Sequence, residues 1–202
     1  VNAAVDATDA AGVDTTAELQ ALVDGLPPAA TIDLSGEAGF TGQLINPVEV
    51  LINGEVRTFY YWDRSGDGTI YDADTTTHDV LNNLFNSGGD TTDAVADRSY
   101  TMADGTELRL PTLGTTIGRN VDLDEIVSSP TEDQTVLDGL AAIKDAFDGT
   151  GTGSGVPTGW ADGIYWSATS TGAGSHAGLY LSVGVSGSIP DGNNYYVALE
   201  VV

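Results

Sequence analysis

Two runs of alternating residues on either side of Asn53-Gly54 limit the fold of this chain more than any other feature. The alternating apolar, β-branched and aromatic positions are Val48, Val50 and Ile52 before the dipeptide and Val56, Thr58, Tyr60 and Trp62 after it. Asn and Gly tolerate the positive φ that a two-residue hairpin turn requires. The pattern therefore predicts an antiparallel hairpin. Because neighbouring strand residues point to opposite faces, we expect some of the rings of Tyr60/Tyr61 or Tyr195/Tyr196 to face solvent or a ligand groove.

Similar patterns predict the other elements. A second hairpin is predicted at 99–110 around Asp104-Gly105. Helices are predicted from three apolar stripes: Leu19 to Leu26; Val80, Leu81, Leu84 and Phe85; and Val136, Leu137, Leu140, Ile143, Ala146 and Phe147, the last opened by a capping box of Thr131 and Gln134. The tail predicts strands at Gly163–Ala168, Ala177–Val183 and Tyr195–Val202. Hairpins with two to three separate helices indicate an α+β fold.

The chain is long enough for one domain with a substantial core. Residues 1–14 are small and polar without periodicity, so we expect a flexible N-terminal entry, followed by a single ligand-binding domain at 15–202. No apolar run approaches the roughly 18 residues of a membrane span, and we therefore expect no membrane insertion. The start lacks an initiator Met and a basic leader. We interpret the chain as a monomeric module within a larger protein.

The net charge of the chain limits the classes of partner that it can bind. Thirty Asp and Glu residues stand against six Lys and Arg, for a formal net charge of -24. Such a surface repels phosphate backbones and anionic lipids, which excludes nucleic acid as an expected partner. There is no cysteine, so neither disulfides nor zinc–thiolate sites stabilise the fold. Bound Ca²⁺ is the alternative stabiliser for a secreted chain, although a marine or halophilic surface also explains many of the acids.

The residue types in segment 63–74 match the pattern of a twelve-position calcium-binding loop. Oxygen-bearing side chains at the first, third and fifth positions precede a glycine, and a carboxylate closes the segment. The candidate metal ligands are Asp63, Ser65, Asp67, the Thr69 carbonyl and Asp74. Alternating oxygens converge when the chain curls around an ion, and Gly68 permits the sharp turn. The alternative is a solvated turn, because the same residues also favour turns.

A second polar segment, Asp191-Gly192-Asn193-Asn194, also offers oxygens suited to Ca²⁺, and a β-turn is the alternative there. Asp162-Gly163 has the same ambiguity. His176 is a candidate for lining a ligand site, with a structural role as its alternative. For His78, beside Asp79 in a first helical turn, we expect a solvated or capping role.

We expect no enzymatic activity. A nucleophile, base and acid can be assembled from Ser167, His176 and Asp191, but no G-x-S-x-G elbow surrounds the serine, which lies in a strand pattern. There is no phosphate-binding loop with its lysine and no histidine pair at metal-binding spacing.

Several motifs together resemble one bacterial family. They are Tyr60-Tyr-Trp-Asp-Arg-Ser-Gly-Asp-Gly-Thr69, Thr77-His-Asp-Val-Leu-Asn82, Leu110-Pro-Thr-Leu-Gly114, Gly163-Ile-Tyr-Trp-Ser-Ala-Thr-Ser170, Leu179-Tyr-Leu181 and Asn193-Asn-Tyr-Tyr-Val-Ala-Leu-Glu200. From about residue 45 to the end, the chain resembles the peptide-binding domain of long RTX adhesins from marine and Vibrio-type bacteria. The resemblance implies a C-type-lectin-like fold with calcium-bound loops, at the extracellular cell surface.

The resemblance also implies a function. Such domains bind extended peptides by a free C-terminal carboxylate, with Ca²⁺ taking part, and so support cell adhesion and biofilm formation. The ligand-facing ion is expected among the C-terminal loops, which favours Asp191, Asn193 and Asn194 and leaves the Asp63 loop as an alternative, structural site. Candidate ligand-binding residues are Asp162, Tyr165, His176, Asn194 and Tyr195. A calcium-dependent carbohydrate-binding module is the alternative, but neither a Glu-Pro-Asn-like tripeptide nor a Trp-Asn-Asp signature occurs in the chain.

Overall fold

The computed structural model describes residues 31–52, 54–70, 72–85, 98–114, 139–147 and 156–202, all within the compact unit Thr31–Val202. The predicted N-terminal entry, the helix near Leu19–Leu26 and the capping box at Thr131 and Gln134 lie outside these residues.

The larger of two sheets is antiparallel and has six strands in the order β1-β2-β3-β9-β5-β4. Its strands are β1 (Ile32–Asp33), β2 (Gln43–Ile52), β3 (Glu55–Asp63), β4 (Ser99–Thr101), β5 (Glu107–Arg109) and β9 (Ala198–Val201). Strands β2 and β3 pair from Ile52↔Glu55 at the turn to Gln43↔Asp63, which confirms the first predicted hairpin. Strands β4 and β5 pair as Ser99↔Arg109 to Thr101↔Glu107 and confirm the second.

The β2–β3 pairing shifts register between Ile45 and Val48. Pro47 lies within this shift and has no N–H to give to the ladder. Its neighbour Asn46 has φ of +50°, and its side chain donates to the Gly159 carbonyl at 2.6 Å. The irregularity therefore falls where the sequence removes a donor, and a distant loop holds it in place.

Strand β3 is covered on both faces. Phe59 and Tyr61 belong to one hydrophobic cluster, with Leu140 and Leu179, whereas Tyr60 and Trp62 belong to a second cluster on the other side. The rings of Tyr60 and Tyr61 are both buried, whereas Tyr195 and Tyr196 keep accessible surface. The alternation is real, but each face of the strand has its own core.

The second sheet is antiparallel and has three strands, β6 (Ile164–Gly172), β7 (Ser175–Tyr180) and β8 (Val185–Pro190), in that order. Strand β8 was not predicted, because VSGSIP lacks a clear alternating apolar pattern. Trp166 N donates to the Tyr196 carbonyl at 3.0 Å, and Tyr196 N donates to the Ile164 carbonyl at 3.0 Å. These bonds attach β6 to the segment that leads into β9.

The described helices are α1 (His78–Leu84) and α2 (Gly139–Phe147). Helix α1 confirms the predicted helix, and its stripe residues Leu81 and Phe85 are buried. Helix α2 buries Leu140 and Ile143 as predicted, but Ala146, expected in the same stripe, is exposed. Helix α2 buries six residues in a row from its start, so its covered face broadens at the N-terminal end and does not extend to Ala146.

The described part of the chain is therefore α+β with antiparallel sheets. It contains no helix that is both long enough and apolar enough to cross a membrane.

Candidate functional site

The predicted calcium loop begins at the last residue of β3, Asp63, and ends in a short 3-10 helix at Asp72–Asp74. Ser65, Asp67 and Thr69 are exposed, whereas Asp63 and Asp74 are fully buried. The loop thus has a buried base made by its first and last residues and an exposed rim between them.

The side-chain oxygens of the first, third and fifth loop positions lie together. Ser65 Oγ is 2.8 Å from Asp63 Oδ1 and 3.2 Å from Asp67 Oδ1. Asp67 Oδ1 also accepts hydrogen bonds from the Thr69 backbone at 2.8 Å and from its hydroxyl. Oxygens around one Ca²⁺ at roughly 2.3–2.6 Å are themselves about 3 Å apart. The three oxygens are therefore clustered, at distances that are also those of hydrogen bonds.

Asp63 is held as a carboxylate by four donors. Its Oδ1 accepts from Ser65 Oγ and the Gly66 amide, and its Oδ2 accepts from Gln43 Nε2 and the Gly68 amide, each at 2.8 Å. Gly66 and Gly68 have φ of +74° and +78°, a conformation that favours glycine. Burial acts to raise the pKa of Asp63, but these hydrogen bonds outweigh it and lower the pKa.

Asp74 ties the end of the loop to its start. Its Oδ1 accepts the Ser65 amide at 3.2 Å, and its Oδ2 accepts the Tyr61 hydroxyl at 3.0 Å. Burial, followed by the charge of Asp74, raises the pKa of Tyr61, so Tyr61 remains a hydrogen-bond donor. Asp74 therefore closes the loop through hydrogen bonds. The three carboxylates of Asp63, Asp67 and Asp74 do not gather within 4.8 Å of one another.

The second polar segment lies beside the continuation of this loop. Thr76 and Tyr195 exchange backbone hydrogen bonds at 2.8 and 2.9 Å, and the His78 amide donates to the Asp191 carbonyl at 2.8 Å. Asn193 and Asn194 are exposed in the turn that follows β8. Two segments more than 100 residues apart in sequence are thereby fixed next to each other.

Asp191 has a different environment from Asp63. Its side chain is buried, and its Oδ1 lies 2.7 Å from Nδ1 of His176, which is also buried. The His176 ring stacks on the ring of His78 with centroids 3.5 Å apart and planes 7° from parallel. His78 Nε2 donates to the Ser167 carbonyl at 3.0 Å. The expectation of a solvated or capping His78 was wrong, because its ring is enclosed by Trp166, His176 and β6.

His78, His176 and Asp191 are the residues of the described chain whose metal-binding atoms converge, all within 4.8 Å. Imidazole nitrogens bind a metal in the ring plane, and a single ion cannot lie in two parallel planes 3.5 Å apart. As arranged, the cluster joins α1, β7 and the 191–194 turn. Burial lowers the pKa of His78 to about 4, His176 adds to that shift, and the Ser167 carbonyl, Asp191 and Asn82 oppose it.

The remaining candidates fall into exposed and buried groups. Asp162 is exposed. Tyr165 is fully buried, donates its hydroxyl to the Ala161 carbonyl at 2.9 Å, and packs with Tyr61, Trp160 and Tyr196. Tyr195 is half-buried against Trp166. Of the predicted ligand-binding residues, Asp162, Asn194 and Tyr195 have accessible surface, whereas Tyr165 and His176 have none.

The three residues considered for catalysis are not connected as a triad. Ser167 Oγ donates to the Ala177 carbonyl at 2.8 Å, so its proton is not directed at His176. Ser167 and His176 are fully buried. The absence of enzymatic activity stays a prediction.

Sequence reasoning missed two participants, Gln43 and His78. Gln43 reaches Asp63 from the opposite strand of the hairpin, and the β2–β3 register would have placed it there once the hairpin length was known. The stacking of His78 on His176 joins residues far apart in sequence and had no local signal.

Comparison of the chain with protein-family models, with curated proteins and with solved structures finds no match.

Proposed function

We propose that this chain is a calcium-dependent peptide-binding module of a secreted bacterial adhesin, which captures the C-termini of proteins on other cells. The observation that carries the proposal is the convergence of oxygens from Asp63, Ser65 and Asp67, with Ser65 and Asp67 exposed on the loop rim. The resemblance of the motifs in 45–202 to adhesin domains supports the finer assignment.

Different loop residues would bind the ion on its buried side and on its exposed side. On ion binding, Asp63 would exchange its hydrogen bond from the Ser65 hydroxyl for the ion and supply the buried side of the site, and Ser65 and Asp67 would supply the exposed side. The Thr69 carbonyl completes the predicted set. Asp74 keeps the loop closed by its bond to the Ser65 amide. An ion held mostly from one side has coordination positions open to solvent.

The charge of the chain explains why a cation is needed. At a net charge of -24, the surface repels a peptide carboxylate. Bound Ca²⁺ supplies the local positive charge that attracts an anion. A peptide would then extend towards the exposed amides of Asn193 and Asn194, since the Thr76–Tyr195 pairing joins that turn to the end of the loop. Asp191 contributes by fixing the turn through His176.

The test is thermal unfolding in EDTA and in excess Ca²⁺, with peptides of one sequence carrying a free or an amidated C-terminus. We expect Ca²⁺ to raise the melting temperature, because a ligand that binds only the native state stabilises it by mass action. The free-carboxylate peptide should raise the melting temperature further, and by more in Ca²⁺ than in EDTA, and the amidated peptide should have no effect.

A matched pair of variants locates the site. Asp67 and Asp104 are both exposed and both accept a hydrogen bond at 2.8 Å from the amide two residues on. Asp67→Ala should abolish the calcium response, whereas Asp104→Ala, which removes the same charge and the same local bond, should retain it. Equal calcium responses in the two variants would contradict the loop assignment, and peptide stabilisation of equal size in EDTA and in Ca²⁺ would contradict calcium dependence.

A further inference from the structure

A cleft of about 360 Å³ lies at the end of the six-stranded sheet where β3, β5 and β9 meet, away from the loop. It is lined by Glu55, Val56, Arg57, Arg98, Arg109, Glu200, Val201 and Val202. The chain has only six Lys and Arg residues against thirty acids, and three of the six line this one cleft. Three arginines and two glutamates line the cleft, so it lacks the large excess of acids found in the chain as a whole.

Two of the arginines are engaged in the walls. Arg57 forms a two-point ion pair with the buried Glu200, with Nε–Oε1 and Nη2–Oε2 distances of 2.5 and 2.6 Å. Arg98 is buried and its Nη1 donates to the Leu110 carbonyl at 3.2 Å. Both guanidinium groups are held in place by the fold.

Arg109 is placed differently. Its Nε donates to Glu107 at 2.8 Å, and its side chain is 25% exposed. Within the described part of the chain, its two terminal nitrogens have no acceptor. A guanidinium presents its N–H groups in a rigid planar fork that matches the two oxygens of a carboxylate. Arg109 therefore offers a fork at the edge of the cleft, oriented through its third nitrogen.

We propose that this cleft binds a small carboxylate ligand through Arg109, with Arg57 and Arg98 held by the fold in its walls, and that binding does not require Ca²⁺. A monoanion is favoured over a phosphate dianion, because the repulsion from a chain of net charge -24 grows with ligand charge. The cleft volume lies at the small end of ligand pockets and fits one or two residues of a peptide end. That a peptide terminus is the natural carboxylate rests on the proposed function; the carboxylate site itself does not.

The experiment is an NMR titration in EDTA with N-acetylglycine, its amide and inorganic phosphate, following the Arg109 Nε–H and Val201 amide signals. We expect saturable shifts with N-acetylglycine, no shifts with the amide, and weaker binding of phosphate. Absence of saturable shifts would overturn the site, and tighter binding of phosphate would overturn the preference for a monoanion. Because EDTA is present throughout, failure of the calcium proposal would leave this result unchanged.

Three variants test the role of Arg109. Arg109→Gln should weaken N-acetylglycine binding about tenfold or more, the loss expected for a charge-assisted pair. Glu107→Gln removes the acid that competes for Arg109 and should tighten binding about threefold. Glu49→Gln makes the same change of net charge at an exposed β2 position outside the cleft and should bind like the wild type. Wild-type affinity in Arg109→Gln, or equal effects of Glu107→Gln and Glu49→Gln, would contradict the assignment.

Discussion

The Asp63 loop and the Asp191 turn have similar sequences and opposite architectures. Each opens with an aspartate and combines glycine with oxygen-bearing side chains. Asp63 accepts hydrogen bonds from its own loop and from Gln43 on the paired strand, and its neighbours Ser65 and Asp67 bring further oxygens to it. Asp191 is instead paired with His176, a buried imidazole on β7. The Asp63 loop brings oxygens together, whereas Asp191 holds the turn against the buried His176.

This difference shows which structural features can be predicted from neighbouring residues and which cannot. The shape of a loop follows from its own residues, since Gly66 and Gly68 set the turn that brings oxygens together. The electrostatic partner of a buried carboxylate comes from another part of the fold. The loop and the turn should therefore respond differently to mutation, pH and calcium.

The largest effect is expected at the turn. Asp191→Ala leaves the buried His176 Nδ1 without its acceptor and should lower the free energy of unfolding by about 3 kcal/mol. The loss should be the same in EDTA and in Ca²⁺, and urea denaturation measures it. Asp191→Asn, which keeps an acceptor oxygen, should lose less. A loss that appears only in Ca²⁺ would place Asp191 in a calcium site instead.

The next effect is acid destabilisation through the histidine stack. Because the pKa of His78 falls from 6.5 in the unfolded chain to about 4 in the fold, the unfolded state binds more protons between these values. The free energy of unfolding should have its full value above about pH 6.5 and should fall by about 2 to 3 kcal/mol as the pH is lowered to 4. Urea denaturation in EDTA at a series of pH values measures this. A His78→Asn variant should flatten the profile between pH 6.5 and 5, and an unchanged slope in that variant would exclude His78 as its source.

A smaller effect is expected at the loop, and it should depend on calcium. In EDTA, Asp67→Ala should lower the free energy of unfolding by less than about 1 kcal/mol, since Asp67 is exposed. In Ca²⁺ at about a hundredfold excess over its dissociation constant, the variant should lack the stabilisation of about 2.7 kcal/mol that binding gives the wild type. Urea denaturation with and without Ca²⁺ measures both values. An equal loss in the two conditions would make the loop a structural turn.

The smallest effect on stability is expected at Asn193 and Asn194. Both side chains are exposed, so alanine at either position should change the free energy of unfolding by no more than about 0.5 kcal/mol. The same variants should weaken binding of a free-carboxylate peptide, measured by isothermal titration in Ca²⁺. Unchanged peptide affinity in both would remove the turn from the proposed binding region.

The sequence predicted the elements that depend on neighbouring residues. Asn53-Gly54 and Asp104-Gly105 marked both hairpins, and the stripe around Leu81 marked α1. Strand β8 was not predicted, because its Gly and Ser residues pair with β7 without an alternating apolar pattern in the sequence. The burial of both Tyr60 and Tyr61 depends on a second core packed on the opposite face of the sheet.

The same division applies to the sites. The spacing of Asp63, Ser65 and Asp67 predicted their convergence, because a tight turn brings alternating side chains together. The histidine stack and the arginine cleft each collect residues from distant segments: Arg57, Arg98 and Arg109 lie on or beside three different strands. No spacing rule in a single sequence brings such residues together.

The most direct test of the central claim is terbium luminescence, with Tb³⁺ standing in for Ca²⁺ and Trp62, next to Asp63, as the sensitiser. We predict sensitised emission that Ca²⁺ displaces, that Asp67→Ala loses and that Asp104→Ala retains. Emission of wild-type strength in Asp67→Ala, or none in the wild type, would contradict a calcium site in the Asp63–Asp74 loop.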